Sequence, residues 1–557
     1  FIRFQSGAAP RFDNLGTFRK SAGTGTTSVD VAFNNLGGTV QVQSGTVSLT
    51  AGGASSGGTF TIGTGAVLGY DGGTHTLSGA YSVSGAGELR VSAGSATFDP
   101  GGTANAVQLR VAGGTLVLQA MGAMTPTEVR VTGGALSVAG SMTVSGVFDQ
   151  TGGVLDGPGT VTLTGTGSWT AGYMQGTGVT RIGAGGSMTI GDNGNYKYLL
   201  ARKFENAGTV TWATPAYGTY LGDGAVIENQ AGGLFDAQTD SFIRFQSGAA
   251  PRFDNLGTFR KSAGTGTTSV GVAFNNIGGT VQALAATLQF MGGYTQTSGA
   301  TILNGGALQS TTTVDIQGGT LAGVGTITAP SVTSAGEVSP GLSPGILGIS
   351  GGYTQNAAGR YRVELSGLVP GSGYDQLNLT GAATLAGVLV VEVIGGFSPA
   401  PGASFTLMTF ASRGGTTFGT FSPGPLPCGR DWNLLYTDTS VVLEVVTGTG
   451  GSCVEAVDPP HNATGASVGT NVTLTYHAPL DPATVTASTF RLIGPGEVSV
   501  PATLGVSTSG KRPTLDPTGT LAPNTIYRVE TTAGILSPGS VPTQPFTSFF
   551  RTSATPT

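Results

Sequence analysis

Hydrophobic and polar residues alternate along most of this chain. Short stretches such as TVSLT (46–50), ELRVSA (88–93), ALSVAG (135–140) and TVTLTG (160–165) carry an apolar residue at every second position. A period of two with many β-branched residues predicts half-buried β-strands, and the intervening Gly and Asn supply the positive-φ positions of tight turns. No segment of useful length shows the 3.6-residue apolar period of a helix. The pattern predicts an all-β protein in which helices are nearly absent.

A degenerate repeat runs through these strands: an aromatic residue or Ile, then Asn, then Gly, then an apolar residue. It starts at Phe12, Phe33, Phe204, Ile227, Phe253 and Phe274, and neighbouring starts within each run are 21 to 26 residues apart. A strand-and-turn unit of about 20 residues cannot bury its own apolar face, so such units stack as coils of an elongated parallel β-solenoid. We expect the asparagines to form amide ladders and the core to contain Phe12, Phe18, Phe33, Phe253, Phe259 and Phe274.

Residues 1–41 recur almost letter for letter as residues 242–282. The two differences are Asp30 against Gly271 and Leu36 against Ile277. A long block tolerates copying when each unit docks on its neighbours in the same way. We interpret the block as a spacer that adds length, and we expect the sequence upstream of Phe1 to resemble residues 227–241.

The style of the repeats points to a family. Motifs of the type FxNxGT and xGGTLxL resemble the solenoid passengers of bacterial autotransporter and filamentous-haemagglutinin-type surface proteins. Around Gly336 the sequence pattern changes to GEVSPGLSPGILGISGGYTQNAAGRYRVELSG. This stretch is similar to the C-terminal segment of many such passengers. The resemblance implies solenoid repeats over 1–335, with C-terminal coils and a cap over 336–447. A cap also has a physical reason, because an open last coil exposes unpaired strand edges.

A second resemblance lies beyond a Gly-rich linker, residues 448–456. Pro459 precedes an alternating strand with Val472, Leu474 and Tyr476, and the stretches LDPATVTASTF, LAPNTIYRV and FFRT follow. These marks resemble the bacterial Ig-like domains of S-layer and other surface proteins. The resemblance implies a β-sandwich over 457–557.

Composition narrows the choice of partners. The 557 residues include 97 Gly, and charged residues make up 10% against about 25% in ordinary domains. The net charge of −5 gives no reason to expect nucleic acid. No apolar run approaches the roughly 18 residues of a membrane helix. Without an initiator Met or a signal peptide, we interpret the chain as part of a longer exported polypeptide.

Catalysis is the alternative, because β-helices also include polysaccharide lyases and glycoside hydrolases. Hydrolysis needs two carboxylates about 5–10 Å apart, and the nearest clusters in sequence are Asp149 with Asp156 and Asp236 with Asp240. Two G-x-S-x-G matches, at 53–57 and 348–352, lack the strand-to-helix turn that such an elbow needs. No zinc spacing occurs, so no cofactor is expected, although turn aspartates leave a calcium ion open. Regular Thr arrays leave ice binding open as well.

One polar grouping stands out, because the duplicated block holds a third of the 24 basic residues. As a basic surface patch it would engage anionic glycans or a neighbouring filament. It would otherwise keep strand edges soluble and pair with Asp13 and Asp254. The residues are Arg3, Arg11, Arg19 and Lys20, repeated as Arg244, Arg252, Arg260 and Lys261.

The two cysteines of the chain are predicted to form a disulfide. Cys428 lies in a Pro- and Gly-rich loop, and Cys453 follows the last strand of the cap. A hairpin around Asp438 would bring them together, and exported proteins meet an oxidising environment.

Together these features predict a non-enzymatic structural or adhesive stalk segment of a bacterial surface protein or extracellular filament. Its location would be extracellular, at the cell surface. Its partner would be a glycan or protein on a cell surface, or copies of itself.

Overall fold

Three strands per coil form the repeating unit of the solenoid. The structure is a computed structural model that describes residues 1–105, 107–119, 124–214, 216–448 and 451–554. Two compact units comprise these residues: the first contains 1–363, 375–390 and 408–421, and the second contains 364–374, 391–407 and 422–557. Thr449, Gly450 and residues 555–557 of the predicted linker and Ig-like domain lie outside the described residues.

The strands up to the second copy of the repeated block are mostly four residues long. They are β1 (Ile2–Arg3), β2 (Arg11–Asn14), β3 (Thr17–Lys20), β4 (Thr26–Asp30), β5 (Ala32–Asn35), β6 (Thr39–Val42), β7 (Thr46–Leu49), β8 (Gly53–Ile62), β9 (Val67–Tyr70), β10 (Thr74–Gly85), β11 (Glu88–Val91), β12 (Ser95–Phe98), β13 (Thr103–Ala104), β14 (Gln108–Val111), β15 (Thr115–Leu118), β16 (Glu128–Val131), β17 (Ala135–Val138), β18 (Ser141–Val144), β19 (Val147–Gln150), β20 (Val154–Asp156), β21 (Thr160–Leu163), β22 (Thr166–Trp169), β23 (Gly172–Gln175), β24 (Val179–Ile182), β25 (Ser187–Ile190), β26 (Lys197–Leu200), β27 (Lys203–Asn206), β28 (Thr209–Trp212), β29 (Thr219–Gly222), β30 (Val226–Asn229) and β31 (Leu234–Ala237).

From the second copy onward some strands merge into longer ones. They are β32 (Phe242–Phe245), β33 (Arg252–Asn255), β34 (Thr258–Lys261), β35 (Thr267–Gly271), β36 (Ala273–Ala283), β37 (Thr287–Phe290), β38 (Tyr294–Asn304), β39 (Ala307–Ser310), β40 (Val314–Ile316), β41 (Thr320–Ser334), β42 (Glu337–Pro340), β43 (Ile346–Gln355), β44 (Arg360–Leu365), β45 (Gln376–Leu379), β46 (Ala383–Thr384), β47 (Val388–Val393), β48 (Ser404–Thr409), β49 (Thr420–Pro423), β50 (Arg430–Tyr436) and β51 (Ser440–Thr447).

Most strands of the first unit pair in parallel with a strand one coil further on, and the unit therefore presents three faces. Face A includes β25, β28, β31 and β34, face B includes β23, β26, β29 and β32, and face C includes β24, β27, β30 and β33. Period-2 alternation turns one set of side chains inward on every face. The parallel stacking predicted from the repeats is confirmed.

The core follows the repeated aromatic positions. Phe33, Phe253, Phe259 and Phe274 are at most 2% exposed. Phe12 and Phe18, in the first coil, are partly buried and contact the ring of Phe33. The predicted core phenylalanines therefore point inward in both copies of the block.

The predicted amide ladder runs along face C. Each Nδ2 donates to the next side-chain oxygen, from Asn206 to Asn229 (2.8 Å), Asn255 (2.8 Å), Asn276 (2.8 Å) and Gln296 (3.1 Å). All five residues are buried with no exposed fraction. The ladder satisfies amides that would otherwise be costly to bury.

The region after Gly336 continues the parallel stack in the first unit. The strand β42 pairs with β41, and β43 pairs with β41, β45 and β46. In the second unit, β50 and β51 form the antiparallel hairpin expected around Asp438. The domain boundaries at 335, 447 and 456 stay predictions.

The C-terminal part of the second unit is a β-sandwich. Its strands are β52 (Val454–Asp458), β53 (Ala463–Ala466), β54 (Val472–Tyr476), β55 (Phe490–Gly494), β56 (Val498–Ser499), β57 (Ala502–Val506), β58 (Pro513–Pro517), β59 (Ile526–Thr531), β60 (Leu536–Ser537), β61 (Val541–Pro542) and β62 (Phe546–Thr552). A four-stranded sheet, β52-β54-β58-β57, accompanies a five-stranded sheet, β53-β62-β59-β55-β56. Val472, Leu474 and Tyr476 are fully buried in a core with Phe490 and Phe550.

Helices are limited, among the described residues, to two 3₁₀ turns at Pro482–Thr484 and Pro495–Glu497. Neither has the length or apolar character needed to cross a bilayer. The prediction of an all-β fold with a solenoid and an Ig-like sandwich is confirmed.

Candidate functional site

The basic residues of the first block copy are mostly engaged by neighbours. The guanidinium of Arg3 lies 3.1 Å from the Asp30 carboxylate, and that of Arg11 lies 2.7 Å from Asp13. The ammonium of Lys20 donates to the Thr27 hydroxyl at 3.1 Å. Arg19 is exposed, in register with Gln41. Three of these four cations are therefore held within the block itself.

The second copy corrects part of the predicted patch. Arg252 pairs with Asp254 at 2.7 Å, and Arg260 pairs with Asp236 at 2.9 Å. Lys261 is not a surface residue, because its side chain is 0% exposed. Its ammonium instead donates to the Thr239 carbonyl (3.0 Å), the Asp240 carboxylate (2.8 Å) and the Thr268 hydroxyl (2.8 Å). A lysine at an inward position of β34 needs internal acceptors. The preceding coil supplies Thr239 and Asp240, and β35 supplies Thr268.

Arg244 differs from its counterpart Arg3 because of one substitution. Gly271 stands where the first copy has Asp30, and Gly271 is in register with Arg244. The guanidinium of Arg244 lies over the Phe242 ring, 4.1 Å from its centroid, and has no ion pair among the described residues. With Gly271 at this position, Arg244 lacks the carboxylate that pairs with Arg3 in the first copy.

The two copies of the block occupy different faces. The line of paired strands that begins at β4 reaches β34 through β7, β9, β11, β14, β16, β19, β22, β25, β28 and β31. In sequence, however, β34 is the copy of β3, and the copy of β4 is β35. The offset of 241 residues is thus not a whole number of coils. The two basic groups do not continue each other along one face.

The first pair of carboxylates considered for catalysis is divided between two faces of the solenoid. Asp149 lies on β19 of face A, whereas Asp156 lies on β20 of face B. Asp149 accepts a hydrogen bond from Ser168 at 2.8 Å, and Asp156 accepts one from Gln175 at 3.3 Å. Each carboxylate is thus occupied by its own neighbouring coil.

Asp236 and Asp240 are held in the ionised state. Burial raises the pKa of Asp236, but hydrogen bonds from Arg260, Ser262 and Gln238 outweigh it and leave that pKa below its usual value. The hydrogen bond from Lys261 is the main cause that lowers the pKa of Asp240. Neither group can hold a proton near neutral pH, as a general acid must.

The predicted cysteine pair lies within the second unit. Cys428 and Cys453 have Cα atoms 5.8 Å apart and their sulfur atoms are joined. This Cα separation falls inside the range that disulfides require. The oxidation state of the two cysteines in the native host stays a prediction.

Sequence reasoning missed a cluster of tyrosines on face B. Tyr173, Tyr198 and Tyr220 occupy the same register position on successive coils and point outward. The first two rings stack with centroids 4.5 Å apart, and the next two stack at 5.6 Å. Tyr196 lies almost perpendicular to Tyr220, at 5.2 Å and 72°. Arg244 occupies the next register position after Tyr220.

A compositional signal for this cluster exists in the sequence. Five of the 14 tyrosines fall between residues 173 and 220, and three of them stand second in the strands GYMQ, KYLL and TYLG. Three outward rings at one register position place a continuous strip of aromatic surface on this face.

Metal ligands do not converge within the described ranges: no group of three or more His, Cys, Asp or Glu side chains is placed to hold an ion.

Comparison with known proteins identifies one part of the chain. No match was found among curated proteins. The N-terminal part of the bacterial S-layer protein SbsC is 24% identical over 18% of this chain and 24% of that chain, with a TM-score of 0.16. CopC from Methylosinus trichosporium OB3b is 19% identical over 18% of this chain and 93% of that chain, with a TM-score of 0.16. A family model described as a bacterial Ig-like domain matches residues 451–552, and this segment is a domain of that type.

Proposed function

We propose that this chain is a non-enzymatic structural and adhesive segment of a large exported bacterial surface protein or extracellular filament. The observation that carries the proposal is the bacterial Ig-like domain at 451–552 in the same chain as the solenoid. Stacked coils add length without needing a new fold, since each coil contacts only its neighbours. The solenoid would act as a stalk of the autotransporter-passenger type.

The state of the carboxylates supports a role without catalysis. A glycosidase needs one carboxylic acid with a raised pKa and a second carboxylate facing it. The pKa values of Asp236 and Asp240 are lowered instead, through contacts with Arg260 and Lys261. These two carboxylates pair with Arg260 and Lys261 of the next coil, and neither has the raised pKa of a general acid.

The partner would be a glycan or protein on a cell surface, or further copies of the chain. The exposed aromatic residues of face B favour a partner with apolar surface, since clustered outward rings are the usual anchors of binding surfaces.

Surface location can be measured in the native host. Antibodies raised against the 557-residue chain should label intact, unpermeabilised cells, and proteinase K added outside should remove the label. Labelling that appears only after permeabilisation would refute the proposal. Release of reducing ends from a panel of plant and bacterial polysaccharides by the purified chain would instead favour a β-helix enzyme.

A further inference from the structure

A cavity opens beside the tyrosine cluster of face B. Its volume is about 390 Å³, which is in the range of small-ligand pockets. Small residues Gly152, Ala171 and Gly172 line it, together with the aromatic rings of Tyr173, Tyr196 and Tyr198 and the polar side chains of Thr151 and Asn195. We call this cavity the tyrosine pocket.

The loop of residues 191–196 forms one side of the pocket. The amide Nδ2 of Asn193 donates to the Thr151 carbonyl at 2.9 Å, across 42 residues of sequence. The loop precedes β26, and Thr151 precedes β20, so this hydrogen bond passes the coil of β23 that lies between them. The loop therefore arches over a turn made of small residues.

Two charged residues hold this loop in place. The Asp192 carboxylate accepts backbone N–H groups of Gly194 (2.7 Å), Ala216 (3.2 Å) and Tyr217 (3.1 Å). The Lys197 side chain is fully buried, and its ammonium donates to the Gly191 carbonyl at 2.8 Å. Burying a lysine is costly. Here the hydrogen bond of the buried ammonium holds the loop that lines the pocket.

The chemistry of the lining selects the ligand. None of the residues that line the pocket is charged, and each polar group among them is a hydroxyl or an amide. Aromatic faces attract the weakly positive C–H groups of a sugar ring, while hydroxyl and amide groups exchange hydrogen bonds with its hydroxyls. Tyr173 and Tyr196 are each 38% exposed, so their rings are accessible. We propose that the tyrosine pocket binds a hexopyranose unit of a neutral glycan.

This inference rests on the adhesive part of the proposed function and names its ligand class. A proline-rich peptide is the other ligand that aromatic grooves bind. Such a peptide extends over several residues and needs a long groove, whereas this pocket has a volume of about 390 Å³ and takes its rings from Tyr173, Tyr196 and Tyr198. A single sugar ring therefore fits this volume better than a continuous backbone.

The test uses the whole chain and a defined panel of probes. Isothermal titration calorimetry with hexasaccharides of glucose, mannose and galactose, in α- and β-linked forms, should show binding of at least one. Tyr173→Ala and Tyr196→Ala should each weaken that binding at least tenfold. Tyr173→Phe, which keeps the ring, should weaken it less than Tyr173→Ala. Phe245→Ala, an exposed aromatic outside the pocket, should leave it unchanged.

The outcomes separate this inference from the proposal on which it rests. Absence of binding across the panel, or binding that survives both alanine variants in folded protein, overturns the glycan site. Binding of a polyproline peptide that depends on Tyr173 and Tyr196, with no sugar bound, overturns it as well. If cells are labelled at their surface but no sugar binds, the stalk role stands and only the ligand class is wrong.

Discussion

Truncation of Phe259 should open the solenoid locally. Its ring is fully buried, and its centroid lies 5.2 Å from that of Phe253, 5.6 Å from Phe235 and 5.1 Å from Phe274. Coils on both sides cover it, because β34 pairs with β31 and with β36. Phe→Ala in such a core costs about 3–5 kcal/mol. We expect about 4 kcal/mol, since three aromatic contacts are lost together.

The chain contains its own matched control. Phe18 has the same sequence neighbours in the first copy, but its ring is only partly buried and contacts two aromatic rings, Phe12 and Phe33. Phe18→Ala should therefore cost about half as much, roughly 2 kcal/mol, because less apolar surface returns to water.

Hydrogen exchange followed by mass spectrometry can measure both costs separately. Repeat proteins open coil by coil, so each variant should speed exchange in its own strands, β33–β36 for Phe259→Ala and β2–β6 for Phe18→Ala. Equal losses of protection in the two copies, within about 1 kcal/mol, would refute the argument that coverage by neighbouring coils sets the cost.

Three further predictions concern polar groups. Asn229→Ala should destabilise face C by about 2–6 kcal/mol, because one N–H of Asn206 and the side-chain oxygen of Asn255 each lose a hydrogen-bond partner. The loss is measured as a lower melting temperature. A change below about 0.5 kcal/mol would contradict the ladder's role. Burial lowers the pKa of Lys197 to about 8 from 10.5, and Asp192 offsets this only in part. Between about pH 8 and pH 10.5 the unfolded chain binds more protons than the folded one, so the free energy of unfolding should rise with pH. Lys197→Met should lack that rise when the melting temperatures of both proteins are measured over the same pH range. The same pH dependence in both proteins would contradict the prediction. Cys428 and Cys453 in denatured, unreduced protein from the native host should resist alkylation, since closing their loop would restrict the unfolded chain by about 3–4 kcal/mol; two labelled thiols would reject the bond.

The fold could be predicted from the sequence because the same pattern repeats in every coil. Alternation of apolar and polar residues predicts strands. The recurrence of Phe and Asn at one register position predicts that Phe rings stack on Phe rings, and Asn amides on Asn amides, in neighbouring coils. Phe253 over Phe274 and Asn255 over Asn276 show this stacking. A local period becomes a three-dimensional contact wherever each coil lies directly on its predecessor.

Features that depend on partners from other coils could not be predicted in this way. Lys261 looks like a surface residue in the sequence TFRK, yet Thr239 and Asp240 of the preceding coil surround it. Arg202 is likewise fully buried, with its guanidinium donating to the carbonyls of Gln175 and Val179. Whether a cation turns inward depends on acceptors about one coil away, which no local pattern reports.

The position of the second copy explains why the same arginine has different surroundings in the two copies of the block. Because β34 continues the line of β4 and not that of β3, the second copy is rotated by one face relative to the first. Its strand β32 therefore follows Tyr173, Tyr198 and Tyr220 on face B, and places Arg244 in register with them. In the first copy the counterpart of Arg244 is Arg3, which is paired with Asp30. Gly271 removes that carboxylate only in the copy that adjoins the tyrosines. The two copies therefore present the same residues on different faces, and the surroundings of Arg244 depend on the coil on which the second copy stacks.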